Sequence, residues 1–293
     1  MITNPAKIAL GTVQFGLAYG ISNKKGQVSY SEVKDILRLA AEAGIETLDT
    51  AYDYGTSEEI LGKALKNEKL RFKIISKLPV IATLRELNEV IEISLRRLNQ
   101  TAIYGYLIHD FASFINEPKI WDELTKFKRQ KVIQKIGFSL YYPHQLETLE
   151  KCHIDYDIIQ VPFNVFDQRF VSFFPKLRER GVEIHTRSIF LQGLFFKGID
   201  KLHESFNSIK NKIIGIQNIA NKYRIHLNEL LLGFGLLNEN IDRVIIGVDS
   251  IDHLKKNLNV LLSMDKIEQI RELLFQFREE EETILLPFNW EKQ

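Results

Sequence analysis

The sequence predicts a closed (β/α)8 barrel, and three observations predict it. β-branched runs of strand length alternate with stretches of helical periodicity from residue 30 onward. Eight such runs are present once KIALG, at 7–11, is counted as the first. The 293 residues, 45% of them apolar, suffice to bury a large core, and no Pro/Gly-rich linker divides them, so residues 1–293 read as one domain. An open doubly wound sheet is the lesser alternative.

The elements follow in order. KIALG leads into a Gly-rich, aromatic-bearing connection at 12–28, and IETLD (45–49) into the helical SEEILGKALK (57–66). FKIISK (72–77) precedes TLRELNEVIEISLRRLN (83–99), whose apolar positions recur at helical spacing. YGYLIH (104–109), VIQKIGFS (132–139) and DIIQV (157–161) precede helices near 117–130, 143–152 and 167–180. VEIHTRS (182–188) opens a long Phe-rich segment at 189–206, and RVIIG (243–247) precedes a helix near 250–262. Long βα connections on a barrel usually build or cover the pocket, which marks 12–28 and 189–206. The run REEEE (278–282) reads as a solvated helix end.

Charge and composition narrow the partner. Lys plus Arg (39) nearly cancels Asp plus Glu (38), and no basic block recurs on one face, so neither nucleic acid nor a membrane surface is an expected partner. A small molecule is. Apolar stretches fall far short of the ~20 residues that span a bilayer. The single cysteine, Cys152, excludes an intrachain disulfide, and the start MITNPAKIALG lacks the charged and apolar regions of a signal peptide; the expected location is cytoplasmic. Nothing in the sequence sets an oligomeric state.

The chemistry gathers at one rim. Asp49 closes the second strand, Lys77 the third and His109 the fourth, while Tyr54 follows the second strand in LDTAYDYG (48–55). This is the C-terminal rim, where barrel active sites lie. A lysine ending the apolar run KIIS needs a counter-charge, and Asp49 is the nearest at a strand end, so a buried ion pair is expected. A cation beside a phenol would lower its pKa from ~10 and make Tyr54 a usable general acid. His109 is then placed to hydrogen-bond a carbonyl or the tyrosine hydroxyl.

LDTAYDYG, ISKLP (75–79) and LIHD (107–110), in this order on these strands, resemble the aldo-keto reductase superfamily. IGFSLY (136–141), IIQVPFNVFDQR (158–169), RSIFLQGLF (187–195) and VIIGVDSIDHLKKNL (244–258) are similar to that family's later segments. The resemblance implies reduction of an aldehyde or ketone by hydride from a nicotinamide, with Tyr54 the proton donor, Lys77 and Asp49 tuning it and His109 orienting the carbonyl. It implies NADPH, with NADH as the alternative. Ser139 and Gln160 match positions that hold the nicotinamide carboxamide; a helix cap is the plainer reading of Ser139, and a turn role competes for Asn164. Gly11, Thr12, Arg187, Ser188, Phe190, Leu191, Gly193, Gly247, Asp249, Ser250, His253 and Asn257 complete the implied cofactor set. Strand-end proximity places Phe15, Tyr19, Tyr52, Phe111, Tyr141 and Phe163 on the substrate wall.

Three departures stand out. Leu140 replaces a frequent asparagine, Arg187 replaces an aromatic ring that stacks on the nicotinamide, and His253 stands where an arginine often grips the 2′-phosphate. Arg187 can stack through its planar guanidinium. Lys255 and Lys256 read equally as a solvated face, and Asp249 would repel a phosphate if it pointed inward.

Other readings are weaker. His144, His153, His185, His203 and His226 show no metal spacing, so no metal is expected, and a metal-dependent hydrolase would need ligands at strand ends. A glycoside hydrolase would need two facing carboxylates, whereas Asp49 is better explained by Lys77. The rival of a different class is a regulatory module of the same fold, as in potassium-channel beta subunits, which turnover would distinguish.

Overall fold

A computed structural model describes residues 4–20, 23, 26–81 and 83–290. Residues 21, 22, 24 and 25 of the first long connection, and the first three of the start segment, lie outside the described residues. Eight strands form a closed barrel: β1 (Ile8–Gly11), β2 (Thr47–Asp49), β3 (Lys73–Leu78), β4 (Ile103–Ile108), β5 (Ile133–Ser139), β6 (Ile158–Pro162), β7 (Glu183–Arg187) and β8 (Arg243–Gly247). Each pairs in parallel with the next, and β8 closes on β1 with Gly11 opposite Gly247. Every predicted strand is present. His109 falls one residue beyond β4, because the ladder with β5 ends at Ile108 opposite Phe138.

The helices depart further from expectation. The helix near 167–180 shrinks to a 3-10 turn, Val171–Phe173, and the helix Phe174–Glu179. Its first residues are instead a turn built on Asn164, whose side chain accepts from Phe166 N and Asp167 N at 2.8 and 2.9 Å. Asn164 is thus a turn former. The expected helix near 250–262 is two, Ile251–Leu258 and Val260–Ile270. Helices Tyr30–Glu42, Lys210–Tyr223 and Leu227–Leu236 have no counterpart in the sequence-based expectation; the last, LNELLLGFGL, is buried almost throughout and therefore shows no polar face to read. No helix among the described residues is long and apolar enough to cross a membrane.

Most apolar side chains fill the layer between strands and helices. A separate small cluster of Ile75, Leu107 and Ile158 belongs to β3, β4 and β6. Side chains on a strand alternate faces, so the residue two positions on shares the face of each. Those residues are Lys77, His109 and Gln160. An apolar plug thus underlies a polar layer at the C-terminal mouth.

Candidate active site

Four side chains of the polar layer form one hydrogen-bonded row. Asp49 and Lys77 are 4% and 1% exposed, and Lys77 Nζ lies 2.5 Å from Asp49 Oδ1 while donating to Thr50 O at 2.8 Å. The expected ion pair is present. Gln160 Nε2 donates to Asp49 Oδ2 at 2.6 Å, and Ser139 Oγ donates to Gln160 Oε1 at 3.4 Å. Each carboxylate oxygen therefore has its own donor, which offsets the cost of burying the pair. Burial lowers the Lys77 pKa even though Asp49 acts to raise it. Ser139 and Gln160, read as carboxamide ligands, lie in the row beneath the mouth, with one Gln160 donor already engaged by Asp49.

Tyr54 projects from the loop after β2. Lys77 Nζ is 5.1 Å from its ring centroid, and the His109 ring meets it edge-on at 5.9 Å and 81°. No hydrogen bond among the described residues uses its hydroxyl. The expectation that Lys77 acidifies this phenol is corrected: burial, and then Asp49, raise the Tyr54 pKa well above its ordinary value, with Arg187 acting the other way. The reason is geometric, since the ammonium is turned to Asp49 and its field is largely cancelled there. Burial pushes His109 down to about 3, helped by Lys77 and Arg187, so the imidazole is neutral. A neutral imidazole has one donor and one acceptor nitrogen.

The tyrosine loop is locked by residues of which sequence reading named only Thr12, and for another role. Ser57 Oγ donates to Thr12 O at 2.9 Å and lies 2.9 and 3.1 Å from the hydroxyls of Thr12 and Thr50. Thr12 Oγ1 also donates to Asp49 O at 3.1 Å. Thr12, expected at the cofactor, is fully buried and serves this junction instead. Gly16 packs so closely that an added Cβ would stand 1.8 Å from Tyr54 O. Behind the loop, the Arg97 guanidinium covers the Tyr52 ring at 4.5 Å and lies 3.6 Å from buried Glu58, which accepts from Ser76 Oγ at 2.6 Å. Burial holds Glu58 above the usual carboxylate range against those partners. The readable signal was the Ser-Glu pair opening the helix Ser57–Glu68, polar residues where the loop meets the barrel.

The substrate wall is only partly as expected. Phe15 and Phe163 are buried completely, Phe163 stacking on Phe234 at 5.1 Å, and Phe111 packs on Phe138 in the outer layer. Strand parity explains Phe163, which is three residues after inward Gln160 and so faces the helices. Tyr19, 41% exposed, accepts a hydrogen bond from Gln192 Nε2 at 2.9 Å and so joins the two long loops. The Arg187 guanidinium lies over the Tyr141 ring at 4.0 Å and donates to Leu140 O at 3.0 Å. Phe288, unforeseen and 58% exposed, meets the other side of the wall edge-on to Tyr141 at 5.1 Å.

The remaining cofactor candidates flank β7 and β8. Ser188, Leu191, Gln192 and Gly193 all have positive φ (62°, 44°, 51° and 94°), a strained run of the kind found at binding sites. Asn164 Nδ2 secures it by donating to Ser188 O at 3.0 Å, and Phe190 packs on Phe196. At the strand ends the Gln14 amide packs over Gly247, where an added Cβ would stand 2.7 Å from its Nε2, and the buried Gln14 Oε1 there has no hydrogen-bond partner among the described residues. A loop of positive-φ residues and an orphaned acceptor suit a dinucleotide. Ser250 caps the helix Ile251–Leu258 by accepting from His253 N at 3.3 Å, Asp249 Oδ1 lies 2.5 Å from His253 Nδ1, and Asn257 accepts from Asn228 at 3.3 Å. No cluster of three His, Cys, Asp or Glu among the described residues is arranged to hold a metal.

Comparison with known proteins fits this geometry. The uncharacterized oxidoreductase YqkF of Bacillus subtilis is 27% identical over 251 residues, 76% of this chain and 80% of that protein. The holo form of an aldo-keto reductase from Bacillus halodurans shares the fold with a TM-score of 0.73 at 21% identity, over 94% of each chain. An aldo/keto reductase from Klebsiella pneumoniae, solved with NADP and acetate, does so with a TM-score of 0.67 at 20% identity, over 92% and 91%. Residues 7–274 match the model of the Aldo/keto reductase family. Because that match runs from before β1 to beyond β8, the chain belongs to the aldo/keto reductase family and is an NAD(P)H-dependent oxidoreductase.

Proposed function

We propose that this chain reduces an aldehyde or ketone to an alcohol, with Tyr54 as proton donor and His109 as the group that orients the carbonyl. The observation that carries the reading is the Tyr54 hydroxyl, unused by any described residue and flanked by His109 and the Asp49–Lys77 pair. A nicotinamide dinucleotide supplies the hydride when bound. Tyr54 stays protonated at working pH because burial and Asp49 raise its pKa, so it acts as an acid from the start. Donation becomes favourable only as the carbonyl oxygen turns into alkoxide, a stronger base than phenolate. Arg187, which acts to lower the Tyr54 pKa, then stabilises the phenolate left behind, and the neutral His109 offers its N–H to the carbonyl oxygen. Ser139 and Gln160, joined to Asp49, fix that charge row in place.

The test is Tyr54→Phe. Loss of a positioned proton donor costs about 10²- to 10⁴-fold in turnover. Cofactor affinity, measured by fluorescence titration, should hardly change. Turnover close to that of the native chain would remove Tyr54 from the mechanism.

A further inference from the structure

Barrels commonly hold a phosphate where the loop after the eighth strand meets a helix N-terminus, whose first N–H groups lack intrahelical partners. In this chain the corner is filled by carboxylates of its own. Ile251 N donates to Glu32 Oε1 at 2.7 Å, reaching across to the first turn of the helix Tyr30–Glu42. Asp249 precedes the Ser250 cap with Oδ1 2.5 Å from His253 Nδ1, and Asp252 adds a third acid in the first turn. The His253 ring is therefore already turned to the Asp249 carboxyl group, whose buried Oδ1 accepts no hydrogen bond among the described residues. Lys255 and Lys256 stand in the last turn, at the far end of the helix.

A 2′-phosphate, with a charge near −2, would have to displace Glu32 from Ile251 N–H and lie against Asp249. A ribose hydroxyl meets no such obstacle, because it donates to a carboxylate, the arrangement by which dinucleotide sites recognise NAD. Resting on the reading of the chain as a nicotinamide-dependent reductase, we infer that it is selective for NADH and that Glu32 is the residue that sets the choice, seconded by Asp249. This reverses the sequence-based leaning toward NADPH.

Fluorescence titration of the full chain with NADH and NADPH tests the inference. The native chain should bind NADH tighter by about tenfold or more, the worth of a single charge-assisted hydrogen bond. Glu32→Gln keeps the shape of the cap but removes its charge, and should tighten NADPH binding and move the ratio by about tenfold toward NADPH. Asp249→Asn should act in the same direction and serves if the first variant fails to fold. Native binding that favours NADPH, or a ratio that neither variant moves, overturns the inference alone. Binding of neither dinucleotide would overturn the reductase reading and this inference with it.

Discussion

His109 shows how environment, more than residue type, decides a role. An imidazole ordinarily titrates near pH 6.5, yet burial, with Lys77 and Arg187 near, pushes this one down to about 3. The orienting group is therefore neutral throughout the physiological range, and its protonation should not shape the rate. We expect kcat/KM to show no inflection assignable to it from about pH 5 to 8, and His109→Gln, a neutral donor, to retain more activity than His109→Phe. A pH–rate series on all three chains checks both points. The sign for stability follows from the same shift. Below about pH 6.5 the unfolded chain takes up a proton that the folded chain refuses, so stability falls as pH drops toward 3, and above that range the residue contributes nothing. Much of this site was legible at the residue scale, since strand ends and charge alone brought Asp49 and Lys77 together. The direction of the Tyr54 shift was not, because it depends on where the Lys77 ammonium points and how deeply the phenol is buried, neither of which is written in residue order.

At the scale of elements, what holds Tyr54 is a junction between two βα loops. Strands were readable because a buried parallel strand is a short β-branched run, whereas the helix Leu227–Leu236 hid itself by being apolar all round. The phenylalanines show the opposite failure: proximity to a strand end suggested a wall, but parity sends Phe163 to the helices. The junction itself joins residues far apart in sequence, Gly16 with Tyr54 and Thr12 with Ser57, and no local pattern announces such a meeting. It predicts a catalytic defect without a change in chemistry. In Gly16→Ala the added Cβ, 1.8 Å from Tyr54 O, must push the loop away. A displacement of ~1 Å at a reacting group costs about 10²-fold in rate. Turnover should fall by that order while the far-ultraviolet circular dichroism remains that of a folded barrel; unchanged turnover would show that the loop can yield without moving the hydroxyl.

Across the whole molecule, the two ends of the barrel carry different charge networks, and the apolar plug of Ile75, Leu107 and Ile158 lies between them. At the N-terminal end, Glu183 opens β7 and accepts from Tyr104 at 2.7 Å and Lys135 at 2.6 Å, with His185 Nε2 at 3.2 Å. Burial acts to raise its pKa, but the hydrogen bonds from His185, Lys135 and Tyr104 outweigh this and hold it well below the usual carboxylate range. Polar groups on the lower face of a barrel read as stability. A carboxylate whose pKa is depressed by folding contributes stability above its unfolded value of ~4.3 and loses it as pH falls through the folded value. Glu183→Gln removes the charge and leaves Lys135 without its partner, which should cost about 2 kcal/mol at pH 7 and lower the melting temperature by roughly 4 °C. The gap between the two melting curves should narrow as pH drops below about 4, where the unfolded carboxylate takes up its proton. Turnover at 25 °C should stay within about twofold of the native chain, because Glu183 hydrogen-bonds Tyr104, Lys135 and His185 and none of Asp49, Tyr54, Lys77 and His109. A loss of turnover without a loss of stability would mean that the lower network reaches the active site through the plug.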